Sequence, residues 1–297
     1  MNSSAETAGE ADQFFREAFC RNIGLLTEEE QEKLRRTTVG VIGAGGVGGL
    51  HLTTLARLGV GGFHIADMDR YELANVQRQC GAFVHTLGKN KAEAMREIAL
   101  GINPHLRLKV FSEQIGRENI HQFLEGVDVL IDGIDFFSLE ARRCAFDAAR
   151  ERGVYTVTAG PLGFGSAMLV FAPQDGMTFD EYFDIHPDMN ETEKIIAFAV
   201  GLAPAALHMR YLNLGSVNLK KKSGPSLVTA CTLCGVLAAT EVIRIVLRKD
   251  RPAAVPHYFQ YDPYLQKLKK GYVRWGNRHP LQRVKRWYLA RKLGARA

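Results

Sequence analysis

The segment GVIGAGGVGG, residues 40 to 49, constrains the fold of this chain more than any other stretch. Gly43, Gly45 and Gly48 have the spacing G-x-G-x-x-G, and the β-branched run from Thr38 to Ile42 leads directly into them. Residues 50 to 58 are predicted to continue as a helix. Glycines at these positions allow a tight turn and a close approach of the backbone to a phosphate, and the helix start points N–H groups at it. The segment therefore predicts a nucleotide-binding turn.

Strands and helices alternate over the following hundred residues. After the second strand, 62 to 66, we predict helices at 89 to 100, 120 to 125 and 139 to 152, and strands at 106 to 111, 127 to 131 and 155 to 159. Such alternation indicates an α/β fold with a Rossmann-like, doubly wound, mostly parallel sheet. A hairpin-like AMLVFAP, two long helices (191 to 211 and 226 to 248) and a last strand pair (257 to 261 and 265 to 273) add an antiparallel extension and a helical insertion in the second half.

The charge is concentrated at the carboxyl end. The net charge is +6, and residues 265 to 297 contain eleven Lys and Arg and no acidic residue. We expect one domain over residues 1 to 275, with its nucleotide-binding half at about 37 to 160, and a basic tail over 276 to 297. The tail is predicted to be a helix docked through Leu281, Val284, Tyr288 and Leu293. Its exposed charges fit tRNA, an anionic surface or an acidic peptide equally well.

The amino-terminal residues and the cysteines bear on the compartment. The first twenty residues have neither the basic start nor the apolar stretch of a signal peptide, and the chain has no evident membrane span. Five cysteines, at positions 20, 80, 144, 231 and 234, do not make a disulfide framework for 297 residues. We therefore expect a cytoplasmic protein.

The glycine turn alone does not distinguish NAD from ATP. Asp67 or Asp69, at the end of the second strand, can accept hydrogen bonds from ribose hydroxyls of either nucleotide. Asn75, Arg78 and Lys91 follow shortly afterwards. Two cations at this place suit an enzyme that breaks a phosphoanhydride, because such an enzyme must neutralise charge that moves as the bond breaks.

These motifs occur in the order found in a known family. Residues 21 to about 159 resemble the ThiF/MoeB/HesA family, relatives of the ubiquitin-activating enzymes. The resemblance rests on the glycine turn, the D-M-D triplet, N-V-Q-R-Q, the lysine after Gly88, I-N-P and D-G-I-D, which comprise residues 43 to 49, 67 to 69, 75 to 79, 91, 102 to 104 and 132 to 135.

The resemblance implies adenylation, in which a carboxylate attacks the α-phosphate of Mg-ATP and pyrophosphate leaves. It further implies a homodimer, because the family takes one arginine, here Arg21, from the amino-terminal segment of the partner subunit. Asp135 would hold Mg²⁺ beside the site of attack, and Arg78 and Lys91 would act on the phosphates during catalysis. The residues that would contact the nucleotide are Gly43, Gly45, Gly46, Asp67, Asp69, Asn75, Arg78, Gln79 and Lys91.

The chain also departs from the family pattern. No cysteine lies between Cys144 and Cys231, so a thioester stage on this chain is not expected. Only one C-x-x-C pair is present, Cys231 and Cys234, which supplies two of the four ligands of a structural zinc site, and we interpret both as core residues. Phe136 stands where the family commonly has asparagine. Two other hypotheses remain open at this point: an NAD-dependent oxidoreductase and a non-catalytic nucleotide-binding scaffold.

Overall fold

The fold is known from a computed structural model that describes residues 3–219, 221–248 and 252–294. The strands of the described residues are β1 (Thr38–Ile42), β2 (Gly62–Ala66), β3 (Arg107–Phe111), β4 (Val129–Asp132), β5 (Tyr155–Leu162), β6 (Gly165–Phe171), β7 (His257–Asp262) and β8 (Lys267–Tyr272). The α-helices there are α1 (Ser3–Ala18), α2 (Glu28–Arg36), α3 (Gly48–Arg57), α4 (Lys91–Ile102), α5 (Ile120–Phe123), α6 (Leu139–Glu151), α7 (Phe179–Phe183), α8 (Glu191–Leu202), α9 (Val228–Leu247) and α10 (Pro280–Lys292).

The strands of the described residues form one eight-stranded sheet with the order β3-β2-β1-β4-β5-β6-β7-β8. The first five strands pair in parallel, and β6, β7 and β8 extend the sheet by antiparallel pairing. The predicted mostly parallel sheet with an antiparallel extension is thus confirmed. The strand order reverses between β1 and β4, and ligands of such sheets bind beyond the carboxyl ends of the strands at that point.

Local sequence signals explain the first elements around the parallel part of the sheet. Thr27 and Glu30 form a capping box at the start of α2, each side chain accepting a hydrogen bond from the other residue's backbone N–H. The apolar run of β1 is buried between its neighbours, where Val41 pairs with Ile65 of β2 and Ile131 of β4. Strands covered on both faces need such continuous apolar sequences.

Two predicted elements differ from the structure. The helix expected over 191 to 211 ends at Leu202, because Pro204 lacks an N–H and disfavours helical geometry at Ala203. The chain continues as a 3₁₀ turn, Leu207–Arg210. The sequence interpretation also assigned no helix to the first twenty residues, whereas α1 is present and Phe15 near its end is buried.

Helix α9 packs in the core. Of the helices in the described residues, α9 is the one that is long and apolar enough to cross a membrane. However, Cys234, Ala238 and Val242 on it are completely buried within the main hydrophobic core of the domain, and it contacts β5, β6 and α3. Such burial is the behaviour of a core helix.

The basic tail is packed against the domain, but only one of its four predicted docking side chains takes part. Leu281, Val284 and Tyr288 are exposed, so these three predictions were wrong, whereas Leu293 is half-buried. Instead, Asn277 is buried and donates hydrogen bonds to the carbonyl oxygens of Phe183 and Ala197. The division of the chain at residue 275 stays a prediction.

Candidate active site

The glycines of the turn after β1 serve two different purposes. At Gly43, φ is +88° and a Cβ atom would lie 2.1 Å from the carbonyl oxygen of Gly133, so only glycine fits. Gly48 is equally constrained, because a Cβ there would lie 1.6 Å from the Gly43 oxygen. At Gly45 the nearest atom would be 3.7 Å away. The fold therefore requires Gly43 and Gly48, whereas a Cβ at Gly45, which lines a cavity, would make only ordinary van der Waals contact with Gln79.

That cavity lies at the reversal point of the sheet and has a volume of about 750 Å³. Small-ligand sites are commonly about 300–1,000 Å³. Its walls include every residue that we predicted to contact the nucleotide or act on it, except Arg21: Gly43, Gly45, Gly46, Asp67, Asp69, Asn75, Arg78, Gln79, Lys91 and Asp135. Arg21 is exposed in the turn after α1 and does not line the cavity of its own chain.

Asp67 joins the turn after β1 to the end of β2. Its carboxylate accepts hydrogen bonds from the backbone N–H of Ala44, at 2.7 Å, and of Asp69, at 2.9 Å. Burial raises the pKa of Asp67, while these two hydrogen bonds oppose that shift. Each carboxylate oxygen can accept a further bond. Asp67 can therefore bind a ribose hydroxyl without giving up its structural role.

The cationic wall comes from Lys91 and Arg78. Lys91 begins α4, its side chain is 9% exposed, and its Nζ lies 3.0 Å from a carboxylate oxygen of Asp69. The half-buried Arg78 donates one hydrogen bond to the carbonyl of Ala74 and lines the cavity. Both residues thus line the same cavity as Gly45.

Gln79 and Asn75 are buried polar residues that line the same cavity. Asn75 is buried and accepts a hydrogen bond from the backbone N–H of Glu72. Gln79 is 6% exposed, and its side-chain oxygen has no hydrogen-bond partner in the described part of the chain. A buried polar atom without a partner is costly, so this oxygen fits a site that a polar ligand completes.

Two aspartates after β4 have different environments. Asp132 is buried and bonded to Arg142, with 2.8 Å between Arg142 Nε and the carboxylate, and to the Thr158 hydroxyl. Asp135 is exposed towards the cavity and accepts one bond, from the Phe137 backbone N–H. Asp132 is therefore structural, while Asp135 keeps a carboxylate oxygen for a ligand.

The residues around Asp135 fit a Mg²⁺ ion that arrives with ATP. The described residues contain no group of three or more His, Cys, Asp or Glu side chains that could hold a metal. Mg²⁺ commonly keeps several waters and binds through one or two carboxylates plus substrate phosphates. A single carboxylate beside a phosphate site is sufficient for that arrangement.

Sequence reasoning did not identify two further residues of the cavity wall. Arg142 lies on α6, where Leu139, Ala145 and Ala149 are also buried. The helical spacing of those apolar residues could have placed Arg142 on the buried face. His208 reaches the cavity from the 3₁₀ turn after α8, and no motif in the sequence marks it.

Both cysteines of the C-x-x-C pair are buried on α9, as predicted for core residues. The Cys234 thiol contacts the Ser166 hydroxyl at 3.1 Å. Cys231 also lines the cavity, and a Cβ added at Gly46 would lie 3.3 Å from its Sγ. Burial raises the pKa of Cys231 above its ordinary value. Its sulfur is thus a protonated thiol at neutral pH.

Comparisons with known proteins identify the family of this chain. The model of the ThiF family matches residues 19–284. A sulfur carrier protein adenylyltransferase of Thermus thermophilus is 25% identical over 93% of this chain and 92% of its own. A tRNA threonylcarbamoyladenosine dehydratase of Haemophilus influenzae is 35% identical over 45% of this chain, and the match spans 51% of that protein.

Solved structures show the same fold at low sequence identity. The Escherichia coli tRNA N6-threonylcarbamoyladenosine dehydratase TcdA, in complex with AMP, has a TM-score of 0.57 and 22% identity, covering 79% of this chain and 96% of that one. Escherichia coli MccB with ATP has a TM-score of 0.59 and 18% identity, covering 82% of this chain and 65% of that one. The family match extends over most of the residues that build the sheet and the cavity, and the chain therefore belongs to the ThiF family.

Proposed function

We propose that this protein binds Mg-ATP in the cavity and activates a carboxyl group as an acyl-adenylate, with release of pyrophosphate. The family and the names of its adenylyltransferase relatives support an ATP-dependent adenylyltransferase. One observation carries the proposal most directly: Arg78, Lys91 and Asp135 line a single cavity beside Gly45, where the backbone leaves room for a ligand.

The charges of this cavity suit the reaction. A carboxylate and a triphosphate repel each other, so Arg78 and Lys91 would offset that repulsion before the oxygen approaches. The attacking oxygen forms a bond to the α-phosphorus, and the bond from that phosphorus to the bridging oxygen of the β-phosphate breaks. The departing pyrophosphate carries the electron pair, and the two cations would stabilise its charge. Mg²⁺ held by Asp135 would supply further charge neutralisation.

The acyl group would then pass directly to another nucleophile. Among the cysteines, Cys231 lines the cavity, but its buried thiol is protonated at neutral pH. The thiolate, not the thiol, is the nucleophile in acyl transfer. We therefore propose no thioester stage on this chain.

The active unit is proposed to be a homodimer in the cytoplasm. Arg21 is exposed and does not line the cavity of its own chain, so a role for it in the site would require a second copy of the chain. A second copy that placed Arg21 over the phosphates would complete the cationic wall. The basic residues of α10 leave tRNA, an anionic surface and an acidic peptide as possible further partners.

Isotope exchange between labelled pyrophosphate and ATP tests the proposal. We expect exchange that depends on Mg²⁺ and on a carboxylic acid acceptor, offered as peptides, sulfur-carrier-like protein termini and small acids. Arg78→Ala and Asp135→Ala are expected to abolish it. Undiminished exchange in either variant would overturn the assignment of these residues. Tight NADH binding without competition from ATP would instead support an oxidoreductase, and ATP binding without any exchange would support a non-catalytic scaffold.

A further inference from the structure

The cavity continues beyond the phosphate-binding groups into an apolar region. Along the sheet, the residues for the ribose and glycine turn follow β2 and β1, Asp135 follows β4, and β5 comes next. Past Asp135, the walls are formed by side chains from the loop after β4, from α8 and the segment after it, and from α10. These side chains, which we call the acceptor chamber, include Phe136, Ile195, Phe198, Leu212, Leu289 and Leu293.

The acceptor chamber offers little free charge. The Arg142 guanidinium beside it is paired with Asp132 and lies over the Phe198 ring, 4.5 Å from its centroid. Lys222, which also lines the cavity, has its Nζ 2.7 Å from a carboxylate oxygen of Glu191. A substrate body that carried its own charges would therefore lose water there without gaining partners.

His208 is a polar residue of the chamber with an unsatisfied hydrogen-bonding atom. The residue is 9% exposed, and its Nδ1 atom makes no hydrogen bond to any residue that the structure describes. Burial lowers the pKa of His208 to about 4. The ring is neutral at pH 7, so it offers one donor and one acceptor rather than a charge. Leaving such a buried atom unpaired is unfavourable, and a ligand group that bonds to it removes that cost.

We propose that the acceptor chamber binds the body of the substrate, a carboxylic acid whose carboxylate is joined to an apolar group with an uncharged hydrogen-bonding function placed to meet His208. The inference rests on the proposed adenylation, because that reaction places the carboxylate beside Asp135 and the remainder of the acceptor past it. The same chemistry is offered by a free apolar acid and by the terminus of a peptide with apolar last residues.

Calorimetric binding in the presence of Mg²⁺ and the α,β-methylene analogue of ATP tests this inference without requiring turnover. The free-acid probes are hexanoate and adipate, which differ by a second carboxylate. The peptide probes are N-acetyl-Gly-Gly-Leu-Phe and N-acetyl-Gly-Gly-Asp-Glu. We expect the apolar member of at least one pair to bind at least about tenfold more tightly than its charged counterpart. The pair with the stronger preference identifies the source of the substrate.

Two leucines of α10 provide a matched control. Leu289→Asp introduces a charge into the chamber and is expected to weaken apolar probe binding at least about tenfold, whereas Leu281→Asp, outside the cavity on the exposed face, is expected to leave it unchanged. Neither variant is expected to alter binding of the ATP analogue. Leu293→Asp, one position past the end of α10, repeats the test if Leu289→Asp folds poorly.

His208→Phe tests the polar contact. We expect the parent to bind 6-hydroxyhexanoate more tightly than hexanoate, and the variant to lose that preference. Equal or tighter binding of both charged probes, or equal effects of Leu289→Asp and Leu281→Asp, would overturn the inference. Failure of the proposed adenylation can be distinguished from failure of the proposed acceptor chamber. In the first case the ATP analogue would not bind, or pyrophosphate exchange would be absent while the preference for apolar probes persisted.

Discussion

The buried ion pair of Arg142 and Asp132 allows two effects to be measured separately. One is its contribution to the stability of the fold, and the other is the positioning of the backbone around Asp135. The side chains of Arg142 and Asp132 are 3% and 2% exposed. Arg142→Met leaves the carboxylate buried without its cation, which costs about 3–5 kcal/mol. For a chain of this size, each kcal/mol lost from the free energy of unfolding lowers the melting temperature by about 2 °C. The melting temperature should therefore fall by about 6–10 °C. Urea and thermal unfolding measure the change.

The double variant Arg142→Met with Asp132→Leu should recover most of this loss. An apolar replacement of a buried ion pair is often neutral, although the Thr158 hydroxyl and the Ile134 N–H lose their acceptor, at about 1 kcal/mol each. We therefore expect a free energy of unfolding within about 2 kcal/mol of the parent.

Exchange activity should not recover with stability. Arg142 also donates hydrogen bonds to the carbonyl oxygens of Ile134 and Phe136, on either side of Asp135. A displacement of about 1 Å can cost about a hundredfold in rate, so the double variant should stay about that much slower. Arg36→Met, which breaks a pair whose arginine is 78% exposed, should cost less than about 1 kcal/mol. A single variant as stable as Arg36→Met, or a double variant no better than the single one, would refute this reasoning.

Three further predictions follow from the same contacts. Gly43→Ala should lower the melting temperature sharply because of its φ of +88° and the 2.1 Å contact, while Gly45→Ala should melt like the parent but bind Mg-ATP more weakly; equal destabilisation of both would contradict this. Lys91→Met should weaken Mg-ATP binding at least about tenfold in calorimetry, and Lys89→Met, whose exposed partner is Glu97, should not. Burial lowers the pKa of His51 to about 3, below the unfolded value of about 6.5, so the unfolded state takes up the proton first and stability falls by about 1.4 kcal/mol per pH unit below about pH 6. Urea unfolding of His51→Leu between pH 6 and 4.5 should show a shallower pH slope than the parent, and equal slopes would disprove the assignment.

The nucleotide-binding half could be predicted because its information is local. The β-branched run of β1, the glycine turn and the capping box of α2 each specify backbone geometry within a few residues. The strand bounds Thr38–Ile42 and Gly62–Ala66 agree with the prediction for this reason. The grouping of the cavity residues could be predicted as well, because the carboxyl ends of parallel strands meet at one edge of the sheet.

The second half was predicted less well because one local signal, Pro204, was missed and tertiary contacts decide the rest. Apolar sequence continues past Leu202, yet Pro204 ends α8 and brings His208 into the cavity wall. In α10, helical periodicity favoured Tyr288, whereas Leu289 lines the cavity and Tyr288 is exposed. Which of two adjacent side chains faces inward depends on how the helix sits on α8, and that information is not local.

Product analysis by phosphorus NMR, for AMP and pyrophosphate, and by mass spectrometry, for the trapped acyl group, tests the central claim most directly. The full chain is incubated with Mg-ATP, the apolar acid or peptide that binds most tightly, and hydroxylamine as a trap for the activated acyl group. Carboxyl adenylation predicts AMP and pyrophosphate in equal amounts, together with the hydroxamate of the acid, and their loss in Asp135→Ala. Formation of ADP and inorganic phosphate, or of AMP without any hydroxamate across the acceptor panel, would contradict the account.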